Sequence, residues 1–452
     1  MTPSVPHDWS SALEDWLVPF LAHLSHTAQR RWAPVYLRGL LGGGERKSVA
    51  PLASRVAPGD YEQLHHFVAA SRWDTGPLEE ELARRAQALV GGPRAVLIVD
   101  DTSLPKQGQH SVGVAHQYCG CLGKQANCQT LVSLTLARDE VPVPLALRLF
   151  LPKTWTEDPK RCEQAYVPKE RREHRTKGRI ALDEIDRVRE AGVEFGAVLA
   201  DAGYGAGAEF RQALTVRGLT WAVGVLSKQK VYPIEVELRS APPGPTGRQS
   251  KHPVASLPRS TVKEVLAALP DEAWHEVAWR NGTRGPLRAR FAAVRGRVAD
   301  GPKNNRAEHL PGEAAWLVGE DRATGERKYH LTNHPADTPL ETLVEDIKAR
   351  WSCEQMHQQA KEELGLDHFE GRSWHGLHHH ALLSMIALAF LQHLRLRLAA
   401  SYPVQTEPGP PPSPSLPAVR RAVLERLAVA LDCCHACGSR RKRDRPGRRD
   451  SG

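Results

Sequence analysis

The chain has no apolar run long enough to cross a bilayer. The longest, Ala381–Leu391, carries Ser384 inside it and falls short of the about 20 residues that a spanning helix needs. A buried helix is expected there, and no membrane partner. The start, Met1-Thr-Pro-Ser-Val-Pro-His-Asp8, lacks the basic-then-apolar order of a secretory signal. Cysteine is sparse, at eight in 452 residues. In a long chain without an export signal, that points to reduced thiols and a cytoplasmic setting. No internal repeat is visible. Acidic residues are also in the minority: Asp+Glu number 52 against 61 Lys+Arg, a net charge of +9. The balance favours a polyanionic partner, nucleic acid before others. A soluble protein that is basic by composition alone fits the count as well.

The length allows about three domains. Residues 1–90 read as helical, because Trp9, Leu13, Trp16, Leu17, Phe20, Leu21 and Leu24 recur at helical spacing. With the basic groups Arg30-Arg31 and Arg46-Lys47 they suit a DNA-binding domain, and a plain helical bundle nearly as well. At Gly91-Gly-Pro93 the pattern changes. Ala95–Val99, Thr130–Ala137 and Pro144–Leu151 read as strands, with a turn over Val112–Cys128. A charged helix around Ile180–Ala191 precedes another strand, Ala197–Ala200. Three strands, a helix and a further strand over 91–221 predict an α/β, ribonuclease-H-like core. Residues 222–330, with short β-type runs such as Leu287–Val298 and Ala314–Val318, predict a β-rich insertion. The core resumes as helix over 331–400. Residues 401–452 hold a proline-rich linker, a short helix Ala418–Leu431 and a basic tail, Arg440-Arg-Lys-Arg443 with Arg445, Arg448 and Arg449.

Three acids stand where metal-dependent phosphoryl transfer would need them. Asp101 follows Asp100 at the end of the first buried run, and Asp201 ends the run Ala197–Ala200. Glu354 lies on a predicted helix. Carboxylates at strand ends, with one from a helix, suit hard cations such as Mg²⁺ and a two-metal mechanism. At about 100° per residue, Arg350, Glu354 and Lys361 fall within roughly 40° on that helix. A solvated face with i,i+4 charge pairs has the same spacing.

The segment Arg350-Trp-Ser-Cys-Glu354, with Lys361 seven positions on, resembles the Tyr-Arg-Glu-Lys signature of bacterial insertion-sequence DDE transposases. The resemblance extends to Asp100-Asp-Thr-Ser-Leu-Pro-Lys106, to Ser111-Val-Gly-Val with Gln117-Tyr-Cys-Gly120, to Ala200-Asp-Ala-Gly-Tyr-Gly205 and to Leu366–Trp374. It covers about residues 30 to 395, with the motifs in family order. It implies a cut-and-paste DNA transposase with a β-rich insertion before the Glu. Asp101, Asp201 and Glu354 would be the metal ligands, for two ions of Mg²⁺ or Mn²⁺. Asp101 is preferred over Asp100 because the family's first Asp directly precedes Thr. Arg350 and Lys361 would hold DNA phosphates, and Trp351 would stack on an extruded base. A tryptophan of the core fits that position as well. The signature Tyr is replaced by Ile347, which leaves open whether a DNA hairpin intermediate is used. The implied partners are double-stranded DNA, as terminal inverted repeats and target, and a second copy of the chain in the synapsed complex. A bacterial cytosol is the implied compartment. A ribonuclease-H-like nuclease that does not join, and an inactive DNA-binding derivative, are the alternatives.

Other signals carry less. Cys433, Cys434, His435 and Cys437 lack a second ligand pair at structural-zinc spacing, so a tail is expected there rather than a zinc site. Cys119, with Cys121 and Cys128 nearby, is expected to pack. His378-His-His380 is expected to cap a helix or face DNA.

Overall fold

The structure, a computed structural model, describes residues 9–240, 253–282, 285–304, 308–400 and 415–431. Residues 9–90 form five helices: α1 (Trp9–Ala22), α2 (Thr27–Leu41), α3 (Val49–Val56), α4 (Tyr61–His65), which widens into a π turn to Ala70, and α5 (Gly76–Val90). Leu13, Trp16, Leu17, Phe20 and Leu24 are buried, as the helical stripe predicts. Their partner is the long helix Trp374–Ala399 as well as their own neighbours. The Trp16 ring lies 6.1 Å from that of Phe390, and Tyr36 Oη lies 2.8 Å from His380 Nδ1.

The centre is a mixed sheet. Its first strand, β1 (Val96–Pro105), opens with Val-Leu-Ile-Val, fully enclosed on both faces. That composition suits a central strand. β2 (Ala115–Cys119), β3 (Lys124–Arg138) and β4 (Val141–Leu149) follow. β3 lies antiparallel beside β1, and β2 and β4 pair with the two halves of β3. The expected turn over 112–128 therefore contains a strand. Polar residues alternating on an exposed edge, with His116 and Tyr118 outward, hid it from an apolar-run reading. The short helices α6 (Lys153–Thr156) and α7 (Pro159–Gln164) lead to α8 (Lys177–Glu190). β5 (Ala197–Ala200) then pairs parallel to β1, with Val99 opposite Ala200. The one-turn helix α9 (Ala202–Gly205), α10 (Ala208–Val216) and β6 (Trp221–Val225), parallel to β5, complete this half. Gly205 lets the turn after β5 close onto β6: a Cβ there would stand 2.1 Å from the Gly224 carbonyl oxygen.

Most of the next strands lengthen the same sheet: β7 (Lys230–Pro233), β10 (Ser260–Thr261), β11 (His275–Gly282), β12 (Gly285–Val298), β13 (Ala314–Asp321) and β14 (Arg327–Thr332), while β8 (Leu238–Arg239) and β9 (Val254–Ala255) form a separate two-stranded sheet. Helix α11 (Val262–Ala267) interrupts them. β14 pairs with β6, and β13, β12 and β7 follow outward, so the large sheet has twelve strands among the described residues.

The chain then turns helical, with α12 (Leu340–Ala349), α13 (Trp351–Glu362), α14 (Trp374–Ala399) and α15 (Leu416–Leu431). α14 is apolar and long enough to cross a membrane by length and composition, but 83% of its most apolar window is buried in the protein. His378, His379 and His380 correct one expectation: all three are buried in α14 and neither cap it nor face outward. They satisfy backbone carbonyls of Trp374, Val68 and Gly365. α15 is docked, with Val419 and Val423 fully buried and Arg420 paired to Glu363 at 2.5 Å. Of the expected linker, 402–417, residues 402–414 lie outside the described residues, as do the cysteines at 433, 434 and 437 and the basic tail, and 416–417 already belong to α15.

Candidate active site

β1 delivers two carboxylates, and the alternation of a strand sends them to opposite faces. Asp100 points toward α13. Arg350 Nη1 donates to its Oδ2 at 2.9 Å, and the Asp101 amide donates to its Oδ1 at 2.8 Å. Burial pushes the Asp100 carboxyl up to about 6, against the pull of Arg350 and with help from Asp201 and Asp101. Behind it stand Cys353 and His357, whose ligand atoms and that of Asp100 lie within 4.8 Å of one another. Burial pushes the Cys353 thiol up to about 12 and the His357 imidazole down to about 3, so both are neutral. His357 Nε2 and Ser133 Oγ are hydrogen-bonded at 2.8 Å. A neutral thiol and an imidazole make a poor cage for a hard cation.

Asp101 points to the other face, toward α8 and α9. Tyr204 Oη donates to its Oδ1 at 2.5 Å, and Lys177 Nζ forms an ion pair with its Oδ2. Burial, and then Asp101, hold the Tyr204 phenol well above its ordinary range. Asp201 is the cap of α9. Its Oδ1 accepts from the amides of Gly203 at 2.9 Å and Tyr204 at 3.3 Å. Because Val99 pairs with Ala200, Asp100 within β1 and Asp201 just past the end of β5 are the residues that follow.

Glu354 arrives on the first turn of α13, more than half exposed, and pairs with Arg350 at i,i+4. One guanidinium thus bridges Asp100 and Glu354, and Asp201 is near enough to act on it as well. Lys361 lies farther along the same helix, where its Nζ donates to the Ser103 carbonyl at 3.0 Å. Trp351 carries the Arg280 guanidinium on its ring, 3.6 Å from the centroid. Ile347 is buried on α12. A cleft of about 620 Å³ opens beside this group, lined by Asp201, Ile347, Arg350, Trp351 and Glu354. Arg322, Arg327 and Lys328, from the β13–β14 hairpin, give it a cationic wall.

Reading the sequence left out four contributors. Lys177 and Tyr204 hold Asp101, and Arg280 covers Trp351. Lys106 donates to the Phe369 carbonyl at 2.6 Å, which fastens the Leu366–Trp374 segment to the end of β1. Tyr204 and Lys106 stand inside segments already singled out. Lys177 had only the faint signal of Thr176 capping a helix whose first residue is a cation.

Residues 19–286 match the family model described as DDE superfamily endonuclease. The chain is 26% identical over 337 residues to the probable transposase for insertion sequence element IS701 of Microchaete diplosiphon, covering 73% of this chain and 74% of that protein. Among solved structures, a synaptic complex of piggyBac transposase with hairpin DNA is similar at a TM-score of 0.44 and 10% identity, over 91% of this chain and 74% of that one. The NurA nuclease of Sulfolobus solfataricus is similar at a TM-score of 0.22 and 8% identity, over 67% of this chain and 86% of that one.

Proposed function

From the premise that this chain belongs to the DDE superfamily endonucleases, as a DDE-type transposase, we propose that Asp101, Asp201 and Glu354 are its metal ligands. The observation that carries this reading is convergence. Asp201, from the end of β5, and Glu354, from a helix distant in sequence, line one cleft beside Arg350, and Asp101 stands on the neighbouring parallel strand, turned to the other face and held by Lys177. The donors are carboxylate oxygens, which fit Mg²⁺ or Mn²⁺. Bound there, two such ions would supply the charge that activates water and stabilises a leaving 3′-oxygen. The chain's own residues position the DNA. Lys361 and Arg350 take phosphates next to the cut, Arg350 once it leaves Asp100 and Glu354. Trp351 offers a ring to a displaced base. The substrate is double-stranded DNA at the ends of an insertion sequence, cut and then joined to target DNA, with two copies of the chain on paired ends.

The proposed core is ribonuclease-H-like. The strand order β4-β3-β1-β5-β6, in which only β3 runs against the rest, supports it. Residues 91–221 and 331–400 would form that core, 222–330 the β-rich insertion, and 1–90 the part that grips DNA ends. Of residues 401–452, expected as a linker and tail, α15 is docked on the helices around α14.

A second reading puts Asp100 in place of Asp101. Arg350 shared between Asp100 and Glu354 favours it. Four single variants separate the two: D100A, D101A, D201A and E354A, each assayed for Mg²⁺-dependent nicking of terminal-repeat DNA beside gel-shift binding. We expect D101A, D201A and E354A to lose nicking by at least a hundredfold while binding stays within a few-fold. D101A that nicks like the wild type, with D100A inactive, transfers the role to Asp100. Wild-type nicking by D201A or E354A removes that residue from the triad.

A further inference from the structure

Both oxygens of Asp101 are engaged in the DNA-free chain: Oδ1 takes the Tyr204 hydroxyl and Oδ2 the Lys177 ammonium. The two partners differ in one respect. A phenol can go on donating to a carboxylate that binds a cation, but an ammonium and a divalent cation compete for the same negative charge. Lys177 is also out of place by ordinary helix electrostatics. It is the first residue of α8, after the Thr176 cap, where the helix end is already positive and anions are favoured. Its chain neighbours add to this, since Lys169, Arg171, Arg172, Arg175 and Arg179 flank it, against Glu170, Glu173 and Asp183, which pairs with both Arg175 and Arg179. Asp101 is the compensation. Deprived of it, Lys177 would be left among like charges at a helix N-terminus, a place that suits a phosphate.

We propose that Lys177 is a positioning residue that occupies Asp101 until DNA arrives, then exchanges Asp101 for a backbone phosphate and so leaves the carboxylate free for a divalent cation. This rests on the reading of Asp101 as a metal ligand. DNA and metal then bind with positive coupling, and linkage makes that coupling reciprocal. Without DNA, the chain holds metal weakly because its ligand is already neutralised.

The test measures binding, not turnover. Mn²⁺ affinity, read from the EPR signal of free Mn²⁺, is compared in wild type, K177M, K177R and D101A without DNA. Lys177 is half-exposed, so K177M should melt near the wild-type temperature, and K177R keeps the charge. We expect K177M to bind Mn²⁺ several-fold tighter than wild type, K177R to match wild type, and D101A to bind much more weakly. In parallel, anisotropy of a labelled duplex of arbitrary sequence is read with and without Mn²⁺. Mn²⁺ should tighten duplex binding by the wild type and leave K177M unchanged. Equal Mn²⁺ affinity in K177M and wild type, with D101A impaired, overturns the exchange alone. Equal Mn²⁺ enhancement of duplex binding in both does the same. Undiminished Mn²⁺ binding by D101A overturns the ligand assignment and the exchange together.

Discussion

His378, His379 and His380 occupy consecutive positions of α14, and the structure encloses all of them. His379 stacks on Trp73, with ring centroids 3.7 Å apart, and His380 is held between the Tyr36 hydroxyl and the Gly365 carbonyl. Burial pushes His378 down to about 3 and His379 and His380 down to about 4. A group whose folded value is depressed stabilises the fold above its unfolded value, near 6.5, and loses that contribution as pH falls toward the folded value. Between pH 7 and pH 5 each ring should therefore cost up to about 2 kcal/mol. Urea unfolding at the two pH values should show a marked drop in stability, reduced in H379Q. An unchanged midpoint at pH 5 would show that these rings can charge in place. The carboxylates beside Arg350 follow other physics at the same scale. Asp100 and Glu354 share one guanidinium, so a substitution of Arg350 alters two acids at once.

Among the elements, α15 behaves least like an appendage. Leu416, Val419, Ala422 and Val423 face α14 and α2, all buried. A cut after Leu416 should expose that face. We expect L416A to cost about 2–5 kcal/mol, and removal of 417–452 to lower the melting temperature by several degrees. An unchanged melting temperature on truncation would make the docked helix dispensable. The elements that were legible in advance were those with strong local periodicity: α1, β1, β5, α8 and the apolar stretch of α14. β2 was not, because an edge strand with alternating polar residues lacks an apolar run. The docking of α15 was not, because its partners lie in α2 and α14. In the site, Asp201 and Glu354 stood out through their flanking residues. What the strand does with Asp100 and Asp101 did not, since adjacent acids look alike until the pleat divides them between faces. Lys177 stayed hidden because its partner is distant in sequence.

On the scale of the molecule, the helices of 9–90 and the sheet share one continuous core running through α14. The apolar face of α1 and α2 is completed by Phe390 and His380. Residues 1–90 expressed alone should therefore be largely unfolded. Far-UV circular dichroism would check this: a cooperative, native-like melt of the isolated segment would make it a self-sufficient domain. β14, β13, β12 and β7 likewise extend the sheet from β6, so the hairpin arginines at the cleft are set by the same sheet that leads to Asp201.

The spacing of the three acids along the chain also fixes when the site exists at all. Asp101 and Asp201 leave the ribosome early, and β1 can pair with β5 at once. Glu354 follows only after the whole β7–β14 stretch has been made. At roughly 5–20 residues per second, that gap lasts about 8–30 s. A nascent product that ends between residues 201 and 353 carries two of the three carboxylates and lacks the third. On the proposed triad, translation itself acts as a safety catch, since an interrupted chain lacks the third ligand.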